Sequence, residues 1–465
     1  MNLPVPSTRA TRLHFLRWIA LPAVALTLIL AGTPGAYSQQ EDEQQLRVPE
    51  RFAAGDWGVT IDAQDSTRFA DHLNQDVRGR AAIVSIWGQR IIPYSQENEL
   101  RLSAQGSYNW SRSDIYVNLD QLRLTAFMPE SFSDFSSLEI SAGRFPFQDP
   151  SGLVLRHTGD GLLVRVATPR SRVRVGAMYT GLQLNPASNI RMTQTDRAEE
   201  RDDDETFGPG RVVAMADLRF PELVGRHTLS LTFLGQYDTR DADSTEDTLH
   251  SAYGIIGLSG RLVGRLYSDL FGGATYGSYD TGADDDTYLG FMGSARLRLF
   301  LPQARASRIS LRAVYMSNDD DQDSFDAFIP ISRSTPGTVI SIPLENIMFG
   351  ELSYSIRPFV NSESLQARRV QMSATGRTFF TASDDPPRSE PFGGQLDGSV
   401  FGLQTEPEGN YIGTEGVVGV NARVRSDFGV GFSFGAFFPG TGSDGVFTSE
   451  RKTEFLARIE LSTRL

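Results

Sequence analysis

The amino-acid sequence predicts an all-β fold, a transmembrane antiparallel β-barrel of about eighteen strands. Three observations carry that prediction. The first is alternation, clearest between Gly413 and Leu465. Val418, Val420, Ala422 and Val424 alternate with Gly419, Asn421, Arg423 and Arg425. Phe428, Val430, Phe432, Phe434, Ala436 and Phe438 then alternate mostly with glycine and serine, and Phe455, Ala457, Ile459, Leu461, Thr463 and Leu465 with Leu456, Arg458, Glu460, Ser462 and Arg464. A period of two with one apolar face is a half-buried strand. Its other face carries arginine, glycine and serine, which a packed core rejects. The second observation is that connections sort by parity into short and long. The third is that strands run to the last residue, as in a sheet that closes on itself.

In chain order, residues 1–38 read as a signal peptide. Arg9, Arg12 and Arg17 are the basic start, Trp18 to Ala31 the apolar core, and Ala36-Tyr37-Ser38 the cleavage site. The apolar core is too short to span a bilayer, which takes about twenty residues. Removing those three arginines takes the net charge from −13 to −16. Residues 39–56 are polar without a period, a periplasmic lead-in, and residues 57–465 form the barrel. The mean hydropathy of −0.26 fits, because every second residue of a barrel strand is polar. There are no cysteines, and a closed ladder needs no disulfide.

Strands are expected near Trp57–Asp62, Ile83–Arg90, Glu99–Trp110, Ile115–Phe127, Ser137–Phe145 and Gly161–Thr168. The next six are Arg172–Leu182, Arg211–Phe220, His227–Tyr237, Ser251–Gly260, Leu266–Ser278 and Tyr288–Phe300. The last six are Arg308–Met316, Met348–Val360, Leu365–Phe380, Tyr411–Val424, Phe428–Phe438 and Glu454–Arg464. Between Leu119 and Leu122 the apolar spacing skips, which predicts a bulge. If Leu465 lies in the periplasm, the periplasmic turns are short, such as Pro169–Ser171 and Arg261–Arg265. The outer loops are long and acidic, as in Gln183–Gly210 and Ser317–Ile347. The short Ser111–Asp114 is the exception. A sandwich or solenoid has no reason to sort loops this way and would show large residues on both faces or a fixed repeat; neither is found. Tyr108, Trp110, Phe127, Tyr237, Tyr276, Tyr279, Phe379 and Phe380 gather at strand ends as an interfacial girdle.

Alternation also assigns the lumen. Leu100 and Leu102 point outward, so Glu99, Arg101, Ser103, Gln105 and Asn109 point inward. The same phase turns Arg123, Arg165, Arg174, Arg298, Arg312, Arg357, Arg377, Arg423 and Arg458 inward, since an arginine at the lipid midplane costs about 2–4 kcal/mol. Two readings follow. The arginines favour anions, because a guanidinium grips a carboxylate or phosphate bidentately. Or they pair with Glu99, Asp120, Glu139, Asp217, Glu351 and Glu460 and brace the wall. Ten arginines against six acids tilt the lumen positive.

Gly413-Thr414-Glu415 opening a strand, followed by one ending Phe437-Phe438-Pro439-Gly440, resembles the end of the alginate-export porin family. Gly143-Arg144-Phe145, with Asp160-Gly161-Leu162 opening the next strand, resembles it too. The resemblance implies an eighteen-stranded outer-membrane barrel with an arginine-rich conduit for an acidic polysaccharide.

Enzymatic chemistry finds little footing. After the signal peptide the histidines are His72, His157, His227 and His250, with no paired metal spacing. His157 near Asp160, on an expected loop, is the nearest catalytic candidate, and no motif supports it. Asp319, Asp321 and Asp323 alternate, but the glycine and distal glutamate of a calcium loop are missing. The expectation is a non-enzyme without metal or cofactor, acting as a channel for passive diffusion of small, anionic or sugar-acid solutes. Its expected partners are those solutes, outer-membrane lipid and, through the C-terminal strand, the barrel-assembly machinery. Acidity without a basic patch excludes nucleic acid. The alternative is a non-conducting surface barrel that works by adhesion through its long acidic loops.

Overall fold

A computed structural model describes residues 55–70, 77–93, 98–111, 115–131, 136–200, 206–240, 247–280, 285–318, 327–383, 403–404 and 407–464. The signal peptide, the lead-in up to residue 54, His72 and the run from Asp319 to Asp323 lie outside those residues, while Gly55 and Asp56, expected in the lead-in, already belong to the first strand.

Eighteen antiparallel strands form one closed sheet. They are β1 Gly55–Ala70, β2 Val77–Pro93, β3 Glu99–Ser111, β4 Ile115–Pro129, β5 Ser137–Gln148, β6 Arg156–Ala167, β7 Arg172–Tyr179, β8 Arg211–Val224 and β9 His227–Asp238. The rest are β10 Thr248–Val263, β11 Leu266–Asp280, β12 Asp285–Leu301, β13 Ser307–Met316, β14 Ile347–Ile356, β15 Val370–Phe380, β16 Tyr411–Arg423, β17 Phe428–Pro439 and β18 Glu454–Arg464. Each pairs with its neighbours in sequence, and β1 closes on β18 from Thr60 opposite Arg464 to Ala70 opposite Glu454. Closure leaves no edge, so every ladder group is satisfied in lipid. The expected strands match these one for one.

Several boundaries move. The weakly patterned β1 and β2 extend well past their expected cores. The seventh strand stops at Tyr179 and the fourteenth at Ile356. Leu365–Arg368 forms a one-turn helix, not the start of a strand; Ser364 caps it by accepting the Ala367 amide at 3.3 Å. The bulge falls where the spacing skips. Gln105 pairs with Gln121 and Gly106 with Leu119, leaving Asp120 unpaired in register. Ile115, Val117 and Leu119 then share the outer face with Leu122 and Leu124.

The outer surface is a belt of exposed apolar side chains, among them Leu162, Phe233, Ile256, Phe291, Leu311, Leu352, Val418 and Ile459. In water such a belt would be an aggregation site; against lipid it is the solvated face. The start of β1 and the end of β18 lie at one rim, the terminal rim, where connections are as tight as Gly225-Arg226 and Gly264-Arg265. Gly225 and Gly264 take positive φ there. The opposite rim, the loop rim, carries the long connections. The expected girdle is corrected in part. Tyr108, Trp110 and Tyr276 are exposed on the outer surface, whereas Tyr279 and Phe379 are buried, and Phe127 lies under the guanidinium of inward Arg101. A pattern at strand ends does not tell the two faces apart.

Candidate functional site

Register builds two charged rows on the inner wall. In the first, Glu139 of β5 sits opposite Arg165 of β6, Arg165 opposite Arg174 of β7, and Arg174 opposite Asp217 of β8. Glu139 accepts from Arg123 at 2.5 Å and Arg165 at 2.9 Å. Asp217 serves Arg174 at 3.3 Å and Arg219 at 2.9 Å. Each carboxylate thus bridges two guanidiniums. In the second row, Asp269, Arg296, Arg312, Glu351, Arg377 and Glu415 are successive cross-strand partners from β11 to β16. Arg377 donates to Glu351 and to Glu415, both at 2.7 Å, and Arg298 reaches Asp269 at 2.8 Å. Arg296 and Arg312 face each other as like charges. Neither has a carboxylate within 4 Å among the described residues, and the Arg312 guanidinium lies 5.6 Å from the Phe349 ring.

The loop-rim half of the lumen is not wet. Phe145, Phe147, Leu163, Met178, Val213, Leu234, Tyr253, Phe349 and Phe379 from the wall share one buried cluster with Val154, Leu155, Ile190, Phe328, Ile331, Val339, Ile340 and Leu344 from the connections. The described parts of these connections, residues 149–155, 180–200, 206–210 and 327–346, therefore fold into the barrel. Burying an apolar side chain there contributes about 1.5–3 kcal/mol, and the polar backbone is satisfied in turn. Ser332 donates to the Val154 carbonyl at 3.0 Å, Arg191 to that of Ile331 at 2.8 Å, and Arg333 to that of Asn189 at 2.7 Å. Asp149 gathers the amides of Ser151, Gly152, Val154 and Leu155.

Two buried charge networks anchor the loops. Glu415 accepts the amides of Thr338 (2.8 Å), Val339 (2.6 Å) and Ile340 (3.3 Å), and Arg68 donates to the Val339 carbonyl. Around the fully buried Arg211 stand Asp238 at 3.1 Å and Asp196 of the helix Gln194–Glu200. Arg240 holds the same two acids at 2.9 and 2.7 Å. Between the loops, Arg191 pairs with Glu345. Burial, stronger here than the neighbouring guanidinium, pushes the Glu345 carboxyl above its ordinary value.

Arg101, Arg123, Arg165, Arg174, Arg298, Arg377 and Arg458 each lie within 4 Å of a carboxylate. Arg312, Arg357 and Arg423 have none among the described residues. Arg357 lies just past the end of β14. The list of inward acids was short: Asp62, Asp269, Glu415 and Glu454 join it, so the positive tilt is smaller than expected. Glu415 was findable, because the phase that turns Arg423 inward turns Glu415 inward as well. Arg191, Arg211 and Glu345 had no periodic signal, since two stand in loops and one at a strand start.

His157 is on β6, not on a loop. It points inward, buried, with its Nδ1 against the Asn189 amide oxygen. Asp160, three residues on, shares the outer phase with exposed Leu162 and pairs with Arg144 at 2.6 Å. Opposite faces cannot form a dyad. Gly143-Arg144 and Asp160-Gly161 prove to be cross-strand partners. A Cβ on Gly143 would meet the Leu122 carbonyl oxygen at 2.0 Å, and one on Gly161 that of Ala177 at 2.1 Å. Both motifs are set by close backbone approach.

A lipid-facing barrel of eighteen strands with charged inner rows and infolded loops defines the porin class of fold. Solved structures agree. Over 88% of its length this chain superposes on 96% of Pseudomonas aeruginosa OccK11 (OpdR) with a TM-score of 0.53 and 10% identity. OpdO of the same organism is similar at TM-score 0.51 and 13% identity over 88% of this chain and 97% of that one. OccK2 (OpdF), solved with glucuronate, gives 0.51 and 11% over 88% and 96%. No protein-family model matches the chain, and no curated protein matches it.

Proposed function

We propose that the protein is an outer-membrane channel for passive diffusion of small anionic solutes, sugar acids among them. The terminal rim then faces the periplasm and the loop rim the exterior. The observation that carries the reading is the row from Asp269 to Glu415, in which Arg296 and Arg312 have no carboxylate within 4 Å among the described residues. Guanidiniums directly opposite each other repel, and a passing anion relieves that repulsion. The glucuronate bound by OccK2 supports a sugar acid as the first solute to try. The alginate-like resemblance supports an acidic sugar as well, but the infolded loops favour a small solute over a polymer. No catalytic dyad enters this reading, because His157 and Asp160 stand on opposite faces. Assembly is proposed to proceed through the C-terminal strand β18, which closes the barrel against β1.

Single-channel recording in a planar bilayer, with the reversal potential in a salt gradient, tests it. Stepwise openings with anion preference are expected. Openings with cation preference keep the channel and overturn the arginine argument. A folded, heat-modifiable barrel with no conductance moves the reading to the adhesive alternative.

A further inference from the structure

The ladder between β4 and β5 stops short. It runs from Pro129 opposite Ser137 to Leu122 opposite Arg144, and over residues 115–121 the register gives β4 a partner only in β3. Three local features set the stop. Asp120 is the extra residue of the bulge, Gly143 takes a φ of 114° against the Leu122 carbonyl, and Pro146 has no amide to give a neighbour. On the other flank, β6 loses β7 beyond Asp160 opposite Tyr179. The ribbon of residues 145–148 and 156–159 is therefore paired with neither β4 nor β7. It packs inward instead: the Arg156 amide donates to Ser332 Oγ at 2.9 Å, and Phe145, Phe147 and His157 are buried.

The seam this leaves lies at lipid depth. Ile115, Val117 and Leu119 are exposed on the outer face, and exposed Trp110 stands opposite Ile115. An unpaired flank at that depth is costly unless something covers it. Arg144, only 8% exposed, is the cover. Its Nη1 donates to the Leu119 carbonyl on the β4 flank at 3.2 Å, and its Nη2 to the carbonyl of Leu182, in the connection after β7, at 2.7 Å. Asp160 holds the same guanidinium from β6 at 2.6 Å. Inside the seam, Asn118 is buried and donates Nδ2–H to Asp120 at 2.7 Å, which leaves its Oδ1 an acceptor without a partner among the described residues.

A side chain, not a backbone ladder, closes the wall here, and a side chain can swing away. From this we infer that the seam is a lateral route between the lumen and the loop-rim leaflet, latched by Arg144, for single-chain amphiphiles with an uncharged, hydroxyl-bearing head. A solute without a chain gains nothing by leaving water for the belt around Ile115, Val117 and Leu119, whereas an alkyl chain does. The head is set by what waits inside. The open Asn118 oxygen accepts from a hydroxyl, and the neighbouring Asp120 carboxylate repels an anionic head. The route goes beyond the channel reading: it uses other residues and another exit, and stands whether or not the lumen selects anions.

The test is photolabelling of the full-length protein in lipid vesicles with a diazirine-bearing alkyl glucoside, the labelled peptides being mapped by mass spectrometry. Labels are expected on Asn118, Phe145 and Phe147 inside the seam as well as on the outer belt. The chain has no cysteine, so L119C/L182C can be joined by a short bifunctional thiol reagent. Joining is expected to abolish the interior labels and leave those on the belt, which separates entry through the seam from entry through the lumen. R144K keeps a charge for Asp160 but cannot hold both carbonyls. It is expected to raise interior labelling about fivefold, the population shift for loss of one ordinary hydrogen bond. Heat-modifiable migration checks folding, and R144K carries the test alone if the double-cysteine variant does not fold. Labels confined to the outer belt in the wild type, or interior labels that neither the cross-link nor R144K changes, overturn the route. Equal interior labelling by the matching alkyl carboxylate overturns the assignment of the head group.

Discussion

Arg377 on β15 and Glu415 on β16 are direct cross-strand partners, 2.7 Å apart between Nη1 and Oε1, and the same Glu415 carboxylate ties three successive loop amides to the wall. Nothing else on the inner wall binds the segment 327–346 through so many bonds among the described residues. Glu415→Ala removes the acceptor and leaves Arg377 and the amides buried without it, a loss of about 3–5 kcal/mol for a broken buried pair. The expected outcome is a larger and noisier single-channel conductance, with faster proteolysis between residues 327 and 346. Wild-type conductance and protease resistance in a folded Glu415→Ala would show that the loop holds without this tether.

Glu345 gives the packed loops a pH dependence. Its carboxyl is raised above the ordinary 4.5 by burial, against the opposing pull of Arg191 and Arg197. A raised folded-state value means that the loop packing is at full strength below about 4.5 and weakens as pH rises through the raised value. Acidification therefore holds the loops in. Openings should become rarer and smaller as pH falls from 7.5 to 5, and Glu345→Gln, fixed in the neutral form, should show the low-pH behaviour throughout. A Glu345→Gln channel that still follows pH as the wild type does would assign the effect elsewhere.

How much of this was legible in the sequence divides along the wall. Period-two patterning and lipid cost place every strand, the bulge at Asp120 and the inward face of Arg123, Arg312 and Arg377, because those follow from local alternation. Packing inside the lumen does not. Phe145, Phe147 and Leu163 are inward and apolar, which reads as a break in the pattern until loops from far along the chain arrive to cover them. Arg191 and Glu345 meet across 154 positions of chain, with nothing local to announce the pairing. The helix at Leu365 was missed because Leu365, Ala367 and Arg369 alternate in phase with the strand that follows.

Arg144 and Asp160 make the outer wall testable. Arg144 holds Asp160 with two nitrogens and also donates to the carbonyls of Leu119, beside the bulge, and Leu182. Arg144→Ala leaves an unpaired carboxylate on the outer face and frees the bulge. Unfolding by urea in lipid vesicles should show a loss of about 1–3 kcal/mol, the scale of leaving a polar group without its partner, and R144A/D160A should recover part of it. If R144A alone costs nothing, the pair is solvated and the outer-face assignment of Asp160 fails.

Arg296→Glu separates bracing from ion selection. Arg296 faces Arg312 directly, so the substitution turns a repulsive pair into an attractive one. Exchanging like for opposite charge in a cross-strand pair is worth about 0.2–1 kcal/mol each way, and the new glutamate also faces Asp269, which returns part of the gain. Stability should therefore rise slightly or hold. If the arginines select anions, the same substitution removes one positive and adds one negative charge to the row, and the reversal potential must shift toward cations. If they only brace the wall, stability responds and the reversal potential stays where it was. Because folding improves or holds in either case, a changed selectivity cannot be blamed on a damaged barrel, and an unchanged one counts directly against anion selection by this row.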